Sequence, residues 1–507
     1  MEELQKGILR LHSDDNVVLA LSPLNQGDRI EGSVTCRQAV GAGHKVAVVF
    51  IDAGQPVIKY GQIIGFASSA ISPGEHVHVH NLGMADFTRD YAIGQDARPV
   101  AVLPESRRAR FHGIVREDGR IGTRNYLGIL TTVTCAAGAA RMIAKAFDQS
   151  AREPFPRVDG IVTLEHGTGC GMGAESEGLA LLQRTLRGYA RHPNFAGVLL
   201  VGLGCEVNQA ASLMEKMPRY EGARIQTLEI QESGGTENTV QKGIRRIREW
   251  LPEANAAERT PVSAEHLIVG LQCGGSDAYS GVTANPALGA AADLVVKNGG
   301  TVILGETPEI YGAEHLLIRR AEDEQVGRAL LQRVKWWESY TRMLGGEINN
   351  NPTPGNKAGG LTTILEKSLG AAAKGGTGTL GGVYRYAETV SGPGLVFMDT
   401  PGYDVVSVTG MVAGGANLVC LTTGRGTVCG FAPVPTIKLS SNTAVYHHMM
   451  EDMDINCGDV LEGISIPEKG WEIFKRILDV ASGGKTKGER PGTGATEFVP
   501  WQLGPVL

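Results

Sequence analysis

Four groups of residues in this chain are of types and spacings that do chemistry. The densest is Gly74-Glu75-His76-Val77-His78-Val79-His80-Asn81. On a strand, residues i, i+2 and i+4 share one face about 6.6 Å apart, so His76, His78 and His80 would point the same way. Two neighbours can clasp one metal ion. Three on a flat strand cannot easily do so, and a further ligand such as His44 or His12 has to come from elsewhere. The alternative is an exposed histidine face with no ligand. The second group is Cys135, His166, Cys170, Cys205 and Cys273. None has the close cysteine pair of a zinc knuckle, and a buried cysteine is often mere packing. Together, thiolate and imidazole suit Fe2+ ahead of an iron–sulfur cluster.

The third group, Asn351-Pro352-Thr353-Pro354-Gly355-Asn356-Lys357-Ala358-Gly359-Gly360, has prolines that fix the backbone and glycines that let it approach a small anion. Lys357 would offer positive charge to a carboxylate, or act as a base if desolvated. The Gly-Lys-Ser/Thr order of a phosphate-binding loop is missing, and Gly202-Leu203-Gly204-Cys205 lacks the third glycine of a dinucleotide fingerprint. The fourth group comprises Cys273-Gly274-Gly275-Ser276-Asp277, Ser280 to Pro286, and Thr423-Gly424-Arg425-Gly426-Thr427. Short polar side chains among glycines can wrap a hydroxylated ligand, Arg425 can hold a carboxylate bidentately, and Asp277 or Glu306 can take part in proton transfer.

These residues need elements to hold them. Residues 1–85 alternate short β-rich runs with turns (Asn16 to Leu21, Lys45 to Ile51, Pro56 to Ile64, Glu75 to His80), which predicts a small all-β domain. A linker over 86–109 and a second from Trp250 to Ser263 bound an α/β middle domain of about 110–250, and an α/β domain follows over 264–507. In both, apolar runs are separated by stretches long enough for helices, the pattern of a parallel sheet. The predicted strands are Leu127 to Val133, Gly160 to Leu164, Gly197 to Leu203, His266 to Leu271, Gly300 to Leu304, Gly394 to Met398 and Asn417 to Leu421. A polar or soft residue follows nearly every one, and ligands of open parallel sheets bind outside the carboxyl ends of the strands. Gly370 to Gly382 reads as a flexible connection, and Gly483 to Gly494 as a mobile tail or subunit contact.

The chain has 507 residues and a formal charge of −6, with no basic cluster beyond Arg107, Arg108 and Arg110, which argues against nucleic acid as a partner. No apolar stretch is long enough for a bilayer, and Met1 to Lys6 does not open a signal peptide, so a cytoplasmic protein is expected. Glycine, at 69 residues, is about twice its usual share. Many of those glycines fall beside the candidate residues above.

Taken together, these strings resemble the altronate/galactarate dehydratase family. The resemblance spans nearly the whole chain: His12 to Asn16, Gly43 to Ala47, Asp118 to Asn125, His166 to Cys170, Gly202 to Glu206, Gln272 to Asp277, Ser280 to Pro286, Asn351 to Gly360 and Thr423 to Thr427. The histidine run and the spacing of Glu306, Glu309 and Glu314 are similar to the altronate branch. Galactarate dehydratase, a sulfolactate sulfo-lyase-like enzyme, and a non-catalytic sugar-acid binding protein are the alternatives. The resemblance implies an N-terminal β-clip domain, a dimerising middle domain and a C-terminal Rossmann-like domain. It also implies a divalent metal, Fe2+ or else Mn2+, a homodimer, and loss of water from a sugar acid to give a 2-keto-3-deoxy acid. Such a reaction removes the C2 proton beside a carboxylate and expels the C3 hydroxyl, so its barrier is electrostatic. The expected acid and base are His44 and His12, helped by Asp277, with Lys45 or Lys357 steering the carboxylate. Substrate contacts are expected from Arg124, Asn125, Ser276, Ser280, Thr283, Asn285, Asn356, Thr423 and Arg425. Metal ligands are expected from Cys170, Cys205 and Cys273, with His166 and Cys135, or from His76 and His78.

Overall fold

The computed structural model describes residues 7–217, 224–489 and 497–504. Near the amino end, turn residues interrupt the chain every few positions, so strands stay short. Ile8–Leu9, Val17–Ala20, Lys45–Ala47 and His76–Val77 form one antiparallel sheet, and Pro56–Lys59, Gln62–Ala67 and Leu82–Gly83 another. The hairpin between Lys59 and Gln62 turns through Tyr60 and Gly61, both left-handed at φ 62° and 65°, as a tight two-residue hairpin requires. This all-β unit is seated on distant sequence: Val17, Ala47, Val57 and Ile64 share one apolar core with Ala313, Leu369 and Ala372.

One expectation here is corrected. The strand predicted over Glu75 to His80 is only His76–Val77. The Asn81 side chain accepts a hydrogen bond from the His78 amide (2.9 Å) and donates one to the His76 carbonyl (3.0 Å), folding the run into a turn.

Strands Arg110–Val115 and Arg259–Ser263, on either side of the middle region, pair antiparallel with each other. Between them, Gly160–Leu164, Tyr126–Thr131, Phe195–Gly202 and Ile225–Glu229 lie side by side in that order as a parallel sheet. Helices Ala137–Lys145 and Thr236–Asn255 cover one face; Glu177–Ala190 covers the other and packs on Asp404–Ala413.

The last region builds a seven-stranded parallel sheet in the order Leu380–Tyr384, Gly394–Met398, Thr301–Leu304, Ile268–Cys273, Leu418–Thr423, Thr436–Ser440, Ile455–Asn456. Its apolar strands are closed to solvent on both faces, as parallel sheets require, with the paired helices Ala284–Lys297 and Ile466–Ala481 on one side. The chain winds one way from Ile268–Cys273, then returns and winds the other way. Ile268–Cys273 is therefore the strand at which the direction of winding reverses.

Two glycine-rich expectations change. The segment read as a flexible connection holds the helix Ile364–Ala373 and the edge strand Leu380–Tyr384. Between them Thr377 is pinned by its amide and hydroxyl to the Asp293 carboxylate (2.9 and 2.8 Å). Of the expected tail, Lys487–Glu489 is a packed 3-10 turn whose Glu489 binds Arg124, and residues 490–496 lie outside the described residues. Among the described residues no helix is long and apolar enough to cross a membrane.

Candidate active site

The all-β unit meets the last region through glycine. A Cβ on Gly360 would lie 2.1 Å from the Gly43 carbonyl oxygen, and Gly43 itself sits at φ +82° against Gly359 and the Tyr279 ring. Only bare backbone allows that approach. The contact delivers His44, the next residue, to the Asn351–Gly360 segment, where its ring hydrogen-bonds the Ala358 carbonyl. The turn made by Asn81 presents His76 and His78 to the same point. His44 Nδ1 is 2.9 Å from His76 Nε2, the His76 and His78 rings stack at 5.3 Å, and one ligand nitrogen from each of the three lies within 4.8 Å of the others. Nδ1 of His78 is buried without a hydrogen-bond partner. Burial, then neighbouring His44, holds His76 at about 3, and burial with Lys45 holds His78 at about 4. His44 is lowered for the same two reasons as His78. All three are neutral imidazoles at neutral pH.

Beneath them lies a closed ion group. Glu366 accepts from Lys45 (2.8 Å), Lys59 (2.9 Å), and the amide and hydroxyl of Thr362 (3.0 and 2.7 Å), and all three charged side chains are fully buried. Burial alone would raise Glu366, but the two ammonium groups hold it at about 2. Two cations share one anion, and Lys45 is pushed down to about 8, by burial first. The residual positive charge keeps the imidazoles above it unprotonated.

Helix Ile364–Ala373 connects this group to a second. Capped by Thr363, it aims Glu366 at the all-β unit and Lys367 at Glu309 (2.8 Å), and Lys374 just past its end reaches Glu306 (3.2 Å). The thiol of Cys273 donates to Glu309 (3.0 Å), and Gln272 donates to Glu306 (2.6 Å). Glu306 stands after its strand in left-handed backbone, φ +66°. Everything here is buried. Burial and Glu309 push Glu306 up; burial alone would raise Glu309 too, but Lys367 and Lys374, with the hydrogen bonds from Lys367 and Cys273, together hold it down. Cys273 is raised, by burial and then by Glu306, so its thiol keeps its proton.

Both groups bring three possible ligands within 4.8 Å, yet they differ as metal sites. The histidines are half-buried, neutral and partly unpartnered, which suits a divalent ion such as Fe2+. The Cys273–Glu306–Glu309 group is closed, its two carboxylates are already matched by Lys367 and Lys374, and its thiol is protonated. A dication there would have to displace Lys367 and Lys374 from the carboxylates that hold them.

The remaining expected residues scatter. Cys135, Cys170 and Cys205 are exposed at the rim of the middle sheet, away from the strand that carries Cys273, so the expected ligand set of Cys170, Cys205 and Cys273 is not assembled. His166 is no ligand: its buried ring is spent on the Thr131 carbonyl (3.0 Å) and Thr168 (3.1 Å). Arg124 and Asn125 are scaffold rather than substrate contacts. Arg124 is fully buried on Glu489 and on the carbonyls of Val480 and Gly484, and Asn125 ties Arg157 to Ala254. Thr283 donates to the Ser441 carbonyl, Asn285 joins Thr422 to Gly370, and Asn356 caps its own short helix and holds the Ser276 carbonyl. Ser276 is buried, and Ser280, Ser441 and Asn442 all donate to Asp277. Asp277 is buried and bonded, packed under Gly359 and Gly424, so it fixes these loops and does not face a ligand. Thr423 accepts from the Arg425 and Gly426 amides, leaving Arg425 exposed and Lys357 half-buried at the rim. His12 stays at an exposed turn, accepting from the Asp14 amide (3.2 Å), and does not join the imidazoles.

Lys59, Lys367 and Lys374 were not expected. The alternation of Pro56–Lys59 and the string Glu366-Lys367 were visible signals, but a lysine in a strand usually reads as solvated. Two clefts of about 550 and 460 Å³ lie beside His266 and Asn417 and beside Phe195 and Ile225, and neither is lined by any of these residues.

Comparison with known proteins agrees with this layout. Residues 6–85 match the altronate/galactarate dehydratase SAF domain, 113–255 the second domain of D-galactarate dehydratase/altronate hydrolase, and 264–506 the C-terminal domain of D-galactarate/altronate dehydratase. The altronate dehydratase of Escherichia coli (strain K12) is 35% identical over 488 residues, covering 95% of this chain and 96% of that protein. The galactarate dehydratase (L-threo-forming) of the same organism is 36% identical over 487 residues, 94% and 93% of the two chains. The (2R)-sulfolactate sulfo-lyase subunit beta of Chromohalobacter salexigens is 33% identical over 401 residues, 78% of this chain and 97% of that one. The chain belongs to the altronate/galactarate dehydratase family.

Proposed function

We propose that the chain is a hydro-lyase that dehydrates a sugar acid to a 2-keto-3-deoxy acid, with altronate as the first substrate and galactarate as the second. The observation that carries this reading is the glycine contact of Gly43 with Gly360, which seats three neutral imidazoles over the loops bearing Lys357 and Arg425. Lys357 and Arg425 bind the carboxylate, Arg425 bidentately. His44, His76 and His78 hold a divalent ion, Fe2+ or Mn2+, which when bound supplies a Lewis acid for the carboxylate as C2 loses its proton. In this reading His44 is a ligand and not the base. His80, whose ring stands 5.5 Å from that of His76 and outside the ligand set, takes the C2 proton and returns it to the departing C3 hydroxyl. Lys45 touches no substrate; its charge keeps the imidazole lone pairs free and favours an anionic ligand. Asp277 and its serines hold the loop backbone in register. The reading includes a Rossmann-like last domain, a homodimer joined through the middle domain, and a cytoplasmic location.

The test is a panel of aldonic and aldaric acids, with sulfolactate added, assayed under reducing conditions with Fe2+ or Mn2+. Formation of 2-keto-3-deoxy acid from altronate supports the reading. Sulfite release from sulfolactate with silence on every sugar acid would replace it with carbon–sulfur lysis, and binding without turnover would make the chain a binding protein.

A further inference from the structure

The middle sheet carries three thiols that the proposed dehydration does not use. Cys135 lies in the turn after Tyr126–Thr131, Cys170 in the loop after Gly160–Leu164, and Cys205 in the loop after Phe195–Gly202. These strands are neighbours, with Tyr126–Thr131 between the other two, and neighbouring strands stand about 4.8 Å apart. The three loops are bonded into one body. The Thr134 amide donates to the Thr168 carbonyl (3.1 Å), the Asn208 amide to the Gly169 carbonyl (3.0 Å), and the Asn208 side chain to the Thr132 carbonyl (2.8 Å). Gly169, at φ +101°, packs so closely that a Cβ would lie 2.3 Å from the Thr132 oxygen. Ala136, Gly169 and Glu206, each beside one of the cysteines, are buried, while all three thiols are exposed. Three cysteines far apart in sequence thus emerge from one rigid rim at the carboxyl ends of parallel strands, where such sheets bind ligands.

Their placement on three bonded neighbouring loops bears on the ligand. A single ion with metal–sulfur bonds of about 2.3 Å would need sulfurs within roughly 4 Å of one another. The three sulfurs are not among the groups whose ligand atoms fall within 4.8 Å. An iron–sulfur core binds each thiolate through a different iron and so spans a wider triangle. The nine-residue helix Ala137–Lys145 begins beside Cys135, and its amino end favours the negative charge of a thiolate-bound core.

We propose that Cys135, Cys170 and Cys205 hold a four-iron, four-sulfur cluster on the rim of the middle sheet. Three irons rest on protein thiolates, and the fourth stays open to an oxygen donor. Loading is a ligand exchange without change of redox state. Each protein thiol replaces one small thiolate on a preformed cluster, and its proton leaves on the displaced thiol. The inference goes beyond the proposed dehydration and does not rest on it.

The test uses the full chain, purified without oxygen and offered a synthetic four-iron cluster with small thiolate ligands. After gel filtration the protein should be brown, with broad visible absorption and about four irons and four sulfides per chain. Single changes Cys135→Ser, Cys170→Ser and Cys205→Ser should each lower bound iron by more than half, and the triple variant should hold none. Cys429→Ser, and the pair His76→Ala with His78→Ala, should leave the sulfide content unchanged. Circular dichroism checks that each variant is folded, and exposed thiols tolerate serine. A folded wild-type chain that stays colourless, a triple variant that retains the cluster, or one iron per chain without sulfide would each overturn the assignment.

Discussion

Among the described residues, two compact groups of potential metal ligands are present, and they are chemical opposites. His44, His76 and His78 stand half-buried where two regions meet, neutral, with one nitrogen unpartnered. Cys273, Glu306 and Glu309 are closed inside one region, and the two carboxyl groups are already answered by Lys367 and Lys374. Proximity of donors therefore does not make a metal site. What separates the two is whether the donors still lack partners or are already held by the protein's own cations. Helix Ile364–Ala373 touches both, so the comparison can be broken by changing residues along one element.

The largest effect is expected at the seam. His76→Ala or His78→Ala should remove tightly held Fe2+ and lower dehydration by at least about 100-fold, with the melting temperature nearly unchanged. If either variant kept its metal while Cys273→Ala lost it, the comparison would be inverted. Next is Glu366→Gln, which leaves two buried lysines on a neutral amide and should cost about 3–5 kcal/mol in a denaturant titration. Glu309→Gln should cost about 3 kcal/mol because it strands Lys367, whereas Glu306→Gln should cost under about 1.5 kcal/mol. The difference follows from their directions: Glu306 is pushed towards its protonated form, which an amide imitates, and Glu309 is held ionised. Equal costs would show that the two carboxylates are not distinguished by their lysines.

The smallest effect is on pH. His76 and His78, at about 3 and 4 in the folded chain, protonate near 6.5 once unfolded. Their contribution to stability is complete above about 6.5 and is lost as pH falls towards 4, so the metal-free protein should melt progressively lower across that window. Glu366, held at about 2, keeps its contribution until pH falls below the ordinary carboxylate range near 4.3. A melting temperature flat between 6.5 and 4 in the wild type, or unchanged in slope in the His76→Ala and His78→Ala double variant, would remove the histidines from this account.

Much of the frame was legible in the sequence. All seven predicted strands formed, because buried parallel strands are continuous apolar runs whatever surrounds them. The histidine run, His44, and the glycine pairs at Gly359-Gly360 and Gly274-Gly275 were read as chemically loaded, and the first three meet at the seam. The strand Leu380–Tyr384 was missed because its glycines suggest a loop; the Asp293 clamp on Thr377, the bridge to Ala321 and the neighbouring strand order it. Arg124 and Asn125 were expected as substrate contacts from the family resemblance of the string Asp118 to Asn125. Partners more than 100 residues away bury them.

By itself, the sequence determined which segments are strands, which residue types could do chemistry, and where the backbone could come close to itself. Those properties depend on local steric freedom and on hydrophobic runs, which neighbours in the chain already specify. Only the tertiary structure decided that His44 joins His76 and His78, that Lys45 and Lys59 share Glu366, and that Cys273 belongs with two glutamates and not with the other cysteines. Charge pairing and burial act through space, between residues as much as 365 positions apart, and no spacing rule along the chain encodes them.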